Sequence, residues 1–199
     1  MYKMTHSLLE SWRRATAPDA DETAFGVFLD TLERKRKPTT KAMQSGIDFE
    51  KAVTDFANNP QSIFSSNANM DETRAIVQIG ARLSGAAFQV KYTKSIEIYK
   101  TPILLVGVAD AIRAGIIYDI KRVQRYEYGK YQFSTQHPMY MELFPEALRF
   151  DYLIFDGKYC YVEQYRRGDF EPIHGTIKAF LEYLDGAELM DTYMKNWEV

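Results

Sequence analysis

Asp110, Asp119 and Lys121 stand in one short, otherwise apolar stretch, Gly107-Val108-Ala109-Asp110-Ala111-Ile112-Arg113-Ala114-Gly115-Ile116-Ile117-Tyr118-Asp119-Ile120-Lys121. Gly115 separates two halves rich in β-branched residues, which reads as two strands joined by a tight turn. If those strands are adjacent and antiparallel, Asp110 and Asp119 come side by side. Asp119 and Lys121 are two residues apart on one strand and share a face. The spacing therefore gathers two carboxylates and an ammonium on one sheet face. A buried carboxylate is costly unless it is paired or binds a metal. Two carboxylates close together repel, and a divalent cation with oxygen ligands relieves that repulsion.

The surrounding elements have to position this group. An amphipathic helix is expected from Thr5 to about Thr16, with Ser7 and Glu10 as a capping box and Leu8, Leu9 and Trp12 as its stripe. A second helix starts near Asp21, carries Phe25, Phe28, Leu29 and Leu32 at helical spacing, and runs out in Arg34-Lys35-Arg36-Lys37 before Pro38. That basic run suits a helix C-terminus, or a patch that contacts phosphate. A third helix, capped by Thr39 or Thr40, reaches about Asn58. Met43, Ile47, Glu50, Thr54 and Ala57 share one of its faces, beside Phe49, Val53 and Phe56. Glu50 then lies on or next to the core-facing stripe, either as a rim acid or pointing into a site. Gly46, one turn earlier, offers room for a close neighbour.

After a break at Asn58-Asn59-Pro60, residues 61–70 are weakly patterned, and a fourth helix spans about Asp71 to Leu83. Phe88 to Tyr92 and Ser95 to Tyr99 alternate as strands with one solvated face. Beyond Lys121 the chain is basic and aromatic, with Arg122, Arg125, Tyr126, Tyr128, Lys130 and Tyr131. Such a run suits phosphate contacts and base stacking, and equally an ordinary solvated loop. Ser134 to about Leu143 is expected to be helical and to place Gln136 and Tyr140 on one face. His137 is expected to do no more than cap that helix, and Met139 and Met141 to pack. Phe150 to Arg166 reads as a hairpin turning at Asp156-Gly157, and two helices, within 172–195, close the chain. The expected fold class is α/β, a mixed sheet with helices on its faces.

With 199 residues, no linker and no repeat, one domain is expected. A hydrophobic fraction of 46% against 26% charged residues excludes a disordered chain. No apolar run approaches the ~18 residues of a membrane span, and no apolar signal region leads the chain, so a cytoplasmic protein without membrane association is expected. The single cysteine, Cys160, excludes a disulfide framework and any four-thiolate zinc or iron–sulfur site. A net charge of −2 argues against a broadly electrostatic nucleic-acid binder but allows a local basic patch.

Taken in order, these motifs resemble the PD-(D/E)XK (restriction-endonuclease-like) nuclease superfamily, closest to RecB-like and phage recombination-type exonucleases. Gly46-Ile47-Asp48-Phe49-Glu50 is similar to the family's first-helix acid motif, Gly107-Val108-Ala109-Asp110 to its Gly-x-x-Asp motif, and Asp119-Ile120-Lys121 to its (D/E)-x-K motif. Gln136-His137-Pro138-Met139-Tyr140 is similar to the Gln-x-x-x-Tyr motif of the RecB-like branch. The resemblance covers about residues 40–166, with helices at 5–37 and 172–195 added at the ends. It implies Mg²⁺ or Mn²⁺ held by Glu50, Asp110, Asp119 and the backbone carbonyl of Ile120. It further implies that Lys121 positions the attacking water, and that Gln136 and Tyr140 support the site or touch the nucleic-acid backbone, with Arg122 and Arg125 as nearby phosphate contacts. The implied activity is a metal-dependent DNA nuclease, an exonuclease more than an endonuclease, acting in DNA recombination or repair. A single-strand annealing protein is the partner such a resemblance suggests. The absence of further cysteines departs from members that carry an iron–sulfur cluster, so none is expected. Two other readings stay open: a catalytically inactive nucleic-acid-binding protein on a nuclease scaffold, and a hydrolase of small phosphoesters. Glu97, a further acid in the strand before the site, could assist a second metal but is read first as an outward-facing strand residue.

Overall fold

Every other part of the sheet is arranged about the strand Thr101–Arg113 (β3) in a computed structural model that describes residues 1–36, 38–65 and 68–199. Lys37, the last cation of the basic run after the second helix, lies outside the described residues. One edge of β3 is paired along nearly its whole length with the antiparallel strand Ala87–Ile98 (β2). The other edge is shared. The N-terminal strand Tyr2–Met4 (β1) pairs parallel to Ile103–Leu105, and Ile116–Arg122 (β4) pairs antiparallel to Ala111–Arg113. Arg149–Phe155 (β5) then runs parallel to β4, and Cys160–Arg166 (β6) closes the sheet antiparallel to β5. Among the described residues this makes a mixed six-stranded sheet.

Helices cover both faces because β4 and β5 carry apolar side chains on both. On one face lie His6–Ala15 (α1), Glu22–Leu32 (α2), Gln136–Leu143 (α5), Ile173–Gly186 (α6) and Met190–Trp197 (α7), packed on Leu105, Ile117, Phe150, Tyr152 and Ile154. On the other lie Lys41–Asn58 (α3), a 3₁₀ turn over Pro60–Ser65, and Met70–Arg82 (α4), packed on Tyr118, Ile120, Leu153 and Phe155. No helix among the described residues is long and apolar enough to cross a membrane.

The chain departs from the sequence reading in specific places. The cap of α1 is Thr5, whose Oγ1 accepts Leu8 N–H at 3.3 Å, while Glu10 is taken up by Arg13 and Arg14. The strands expected at 88–92 and 95–99 are one strand, because Thr93 and Lys94 stay in the ladder opposite Val106 and Leu105. β1 was not foreseen at all. On α3 the buried positions are Phe49 and Val53, whereas Met43 (56% exposed) and Ile47 (53%) face solvent, so Glu50 is not on the core stripe. Gly46 has nothing within 4 Å of where its Cβ would stand, so it serves no close approach.

Candidate active site

Along the second edge of β3 there is a gap. β1 leaves at Leu105 and β4 joins at Ala111, so among the described residues Val106 to Asp110 have no ladder partner on that side. Unpaired backbone groups must find partners elsewhere, and α5 supplies one. The Tyr140 hydroxyl accepts Val108 N–H at 3.2 Å and donates to Val108 C=O at 2.7 Å. This close approach requires Gly107: a Cβ there would stand 2.7 Å from Leu143 Cδ1 and 3.2 Å from Tyr140 Cζ. Glycine three residues before Asp110 therefore has a packing reason.

Asp110 sits at the end of the gap. The register of Ala111 with Tyr118 would next pair Asp110 with Asp119, but the ladder stops there. Instead Asp110 Oδ2 accepts the Ile120 N–H at 2.8 Å, so a side chain replaces the rung. Asp119 is 4% exposed on the α5 face. Its Oδ1 accepts from Gln136 Nε2 and from Lys121 Nζ at 3.0 Å. Its Oδ2 lies 2.7 Å from Lys121 Nζ yet receives no aligned hydrogen bond. Glu50, half-buried, reaches in from the α3 side and accepts from Gln89 Nε2 at 2.6 Å.

These groups sense one another. Burial raises the Asp110 carboxyl well above its ordinary value, and the charges of Asp119 and Glu50 raise it further. Burial, then Asp119, raises Glu50 as well. For Lys121 burial works against the charge, but Asp119 and Asp110 outweigh it and the ammonium is held above its ordinary value. The result is a partly buried cluster of three acids and one lysine with more negative charge than it neutralises.

The remaining expected residues divide. Gln136 and Tyr140 are both buried and spend their polar atoms on Asp119 and on Val108, so they brace the site from within. Ile120 enters through its N–H. Arg122 pairs with Glu72 of α4 at 3.2 Å, and Arg125, 84% exposed, pairs with Glu127. In the basic, aromatic loop Tyr126 donates to buried Glu163 at 2.6 Å and Tyr131 stacks on Tyr152 with centroids 4.4 Å apart. Those two are anchors, while Tyr128 and Phe133 remain exposed. His137 does not cap α5: it is fully buried, stacked on Tyr165 at 4.0 Å, and burial drives its imidazole down to about 3. Glu97 is exposed, as expected of an outward strand position.

Two neighbours of the cluster were missed. His6 packs edge-on against the Tyr140 ring at 5.9 Å, and burial together with the Lys121 charge lowers it to about 4. Gln89 binds Glu50. No sequence pattern pointed to His6, since only the β1 pairing brings the N-terminus beside α5.

A hard divalent cation suits this donor set, because all three acids offer oxygen and their mutual repulsion is what such an ion relieves. Among the described residues, no three His, Cys, Asp or Glu side chains are gathered as a ready-made cage.

No protein-family model matches the sequence, and no curated protein matches it. Among solved structures the chain is similar to the crystal structure of SSO0001, at 15% identity over 94% of this chain and 77% of that one, with a TM-score of 0.54. A further match, the crystal structure of Scheffersomyces stipitis Rai1, has 13% identity over 93% of this chain and 61% of that chain, with a TM-score of 0.37. The first likeness shows a shared α/β fold.

Proposed function

We propose that the chain is a metal-dependent DNA nuclease of the PD-(D/E)XK kind, acting on DNA ends as an exonuclease in recombination or repair. The observation that carries this reading is the Asp119–Lys121–Gln136 group set against Asp110 in a gap of the sheet, with Glu50 completing the charge cluster. The order of elements supports it: α3, the meander β2–β3–β4, α5, and β5 parallel to β4.

Each residue has a role in that reading. Glu50, Asp110 and Asp119 would hold Mg²⁺ or Mn²⁺, with the Ile120 carbonyl as a further oxygen by resemblance. When bound, the ion supplies a Lewis acid for the phosphoryl oxygens and lowers the pKa of water. Lys121 orients the attacking water from its place beside Asp119 and offsets charge developing on the phosphoryl group. Gln136 fixes the rotamer of Asp119, and Tyr140 fixes the strand carrying Asp110. The partly exposed Arg122 and the exposed Arg125 offer charge to the DNA backbone.

The test incubates the purified protein with linear duplex, closed circular and single-stranded DNA in Mg²⁺, Mn²⁺ or EDTA. The expected result is metal-dependent loss of linear DNA with circles spared, and a fall of roughly 10²–10³-fold or more in Lys121→Ala and Asp119→Ala. Full activity in either variant would refute the assignment. Cut circles would make it an endonuclease. No cleavage and no Mn²⁺ binding would favour a nucleic-acid-binding protein that has lost catalysis.

A further inference from the structure

Gln89, the third residue of β2, has a left-handed backbone inside a strand. Its φ is +51°, although β2 runs uninterrupted over twelve residues and Gln89 is in no turn. A non-glycine residue holds such a conformation only at a cost, and only where its surroundings impose it. The β2–β3 ladder pairs Phe88 with Ala111 and Val90 with Ala109, but omits the rung between them, Gln89 with Asp110. The register is the same on both sides of the break, so no residue has been inserted.

What changes at that rung is which way the side chains face. Along a regular strand, residues two apart share a face. Here Val90 and Ala109 pack in the α5 layer, whereas Phe88 and Ala111 pack in the α3 layer. Both strands slip by one face at the same rung, and the left-handed turn of Gln89 is the visible cause on β2. The slip leaves Asp110 without a ladder partner on either side among the described residues, and its side chain takes the Ile120 N–H. It also turns the Gln89 carboxamide outward to donate to Glu50 Oε1 at 2.6 Å, across 39 residues of sequence.

We infer that Gln89 is a positioning residue: its strained backbone aims its amide at Glu50 and holds that carboxylate within electrostatic reach of Asp110 and Asp119. This rests on the reading of Glu50 as part of a metal-binding set. Gln89 itself touches neither metal nor substrate. It supplies one hydrogen bond to an acid that the adjoining carboxylates would otherwise repel, and it uses no other partner in the site.

The test measures Mn²⁺ affinity by calorimetry and metal-free melting temperature in the whole chain and in two variants. Gln89→Met keeps the side-chain length and removes the donor. Gln89→Gly removes the donor and relieves the backbone, since glycine accepts this φ freely. Each variant is expected to weaken Mn²⁺ binding about tenfold, the lower end for a group orienting a ligand. Gln89→Met should melt at the wild-type temperature and Gln89→Gly at or above it. In the DNA assay kcat should fall while the KM for DNA holds. Mn²⁺ affinity within twofold of wild type in Gln89→Met would overturn the inference. So would a melting temperature lowered in both variants, which would mark a purely structural residue, or a raised KM at unchanged kcat, which would mark a DNA contact. If the wild-type chain binds no Mn²⁺, the underlying metal reading fails and this inference with it. That outcome is distinct from a wild type that binds and variants that bind equally well.

Discussion

Asp151 and Asp119 lie on adjacent parallel strands and are almost fully buried, at 0% and 4% exposure, yet their surroundings differ sharply. Asp151 is enclosed by cationic and amide donors. Arg149 grips it with two nitrogens at 2.6 and 3.0 Å, Arg82 adds a contact at 3.0 Å and Gln164 one at 3.2 Å. Glu163 on β6 is treated similarly, receiving the Tyr126 and Tyr165 hydroxyls and the Tyr131 N–H. Asp119 has one lysine and one glutamine, and an oxygen with no aligned donor. Asp110 beside it has one backbone N–H. A buried acid with both oxygens met by donors ties elements together, whereas one left short of donors and set against like charges keeps capacity for something the chain itself does not supply. The first arrangement marks structure in this protein, and the second marks the candidate site.

By that contrast, the largest loss of stability comes from the satisfied side. Asp151→Ala leaves two arginines facing each other with no acid between them, and should lower unfolding free energy by about 3–5 kcal/mol. Denaturant titration measures this, with Mn²⁺ affinity of the folded protein unchanged. A loss below about 1 kcal/mol would erase the distinction. Gly107→Ala comes next. Its Cβ would press on Leu143 and Tyr140, at an overpacking cost of about 1–3 kcal/mol, and it should reduce cleavage because α5 carries Gln136 to Asp119. Tyr140→Phe should cost about 1–2 kcal/mol in the same titration, since the Val108 N–H and C=O lose their partner in the gap of the sheet.

Much of this contrast was legible in the sequence. Asp110, Asp119 and Lys121 were gathered by strand periodicity and one glycine turn, and Thr40 did cap α3, accepting Met43 N–H at 3.2 Å. The fold class followed from the order of helical and strand patterns. What stayed hidden depends on tertiary placement. A three-residue strand such as Tyr2–Met4 carries no periodicity, so neither β1 nor the arrival of His6 beside Tyr140 had a signal. Gly46 and Gly107 look alike as letters, and only packing reveals that the second meets a helix while the first meets solvent. The Gln89 conformation belongs to a rung imposed by two strands together, which no single-strand pattern encodes. Asp151 gave no warning either, because Arg82 reaches it from α4, 69 residues away.

The most direct measurement is thermal melting of the wild type and Asp110→Asn at neutral pH, with EDTA and with Mn²⁺. Burial and the neighbouring acids raise the Asp110 carboxyl above its ordinary 3.8. Its stabilising contribution is therefore complete below that ordinary value and is lost as pH rises towards and through the raised one. At neutral pH the metal-free site is thus strained by charge. Asparagine, which can still accept the Ile120 N–H, should stabilise the metal-free protein by about 1 kcal/mol, or about 2–4 °C, and the gain should fade as pH is lowered. Mn²⁺ should raise the wild-type melting temperature reversibly and leave the variant nearly unmoved. Asp110→Asn melting at or below wild type in EDTA, with Mn²⁺ shifting neither protein, would contradict the account.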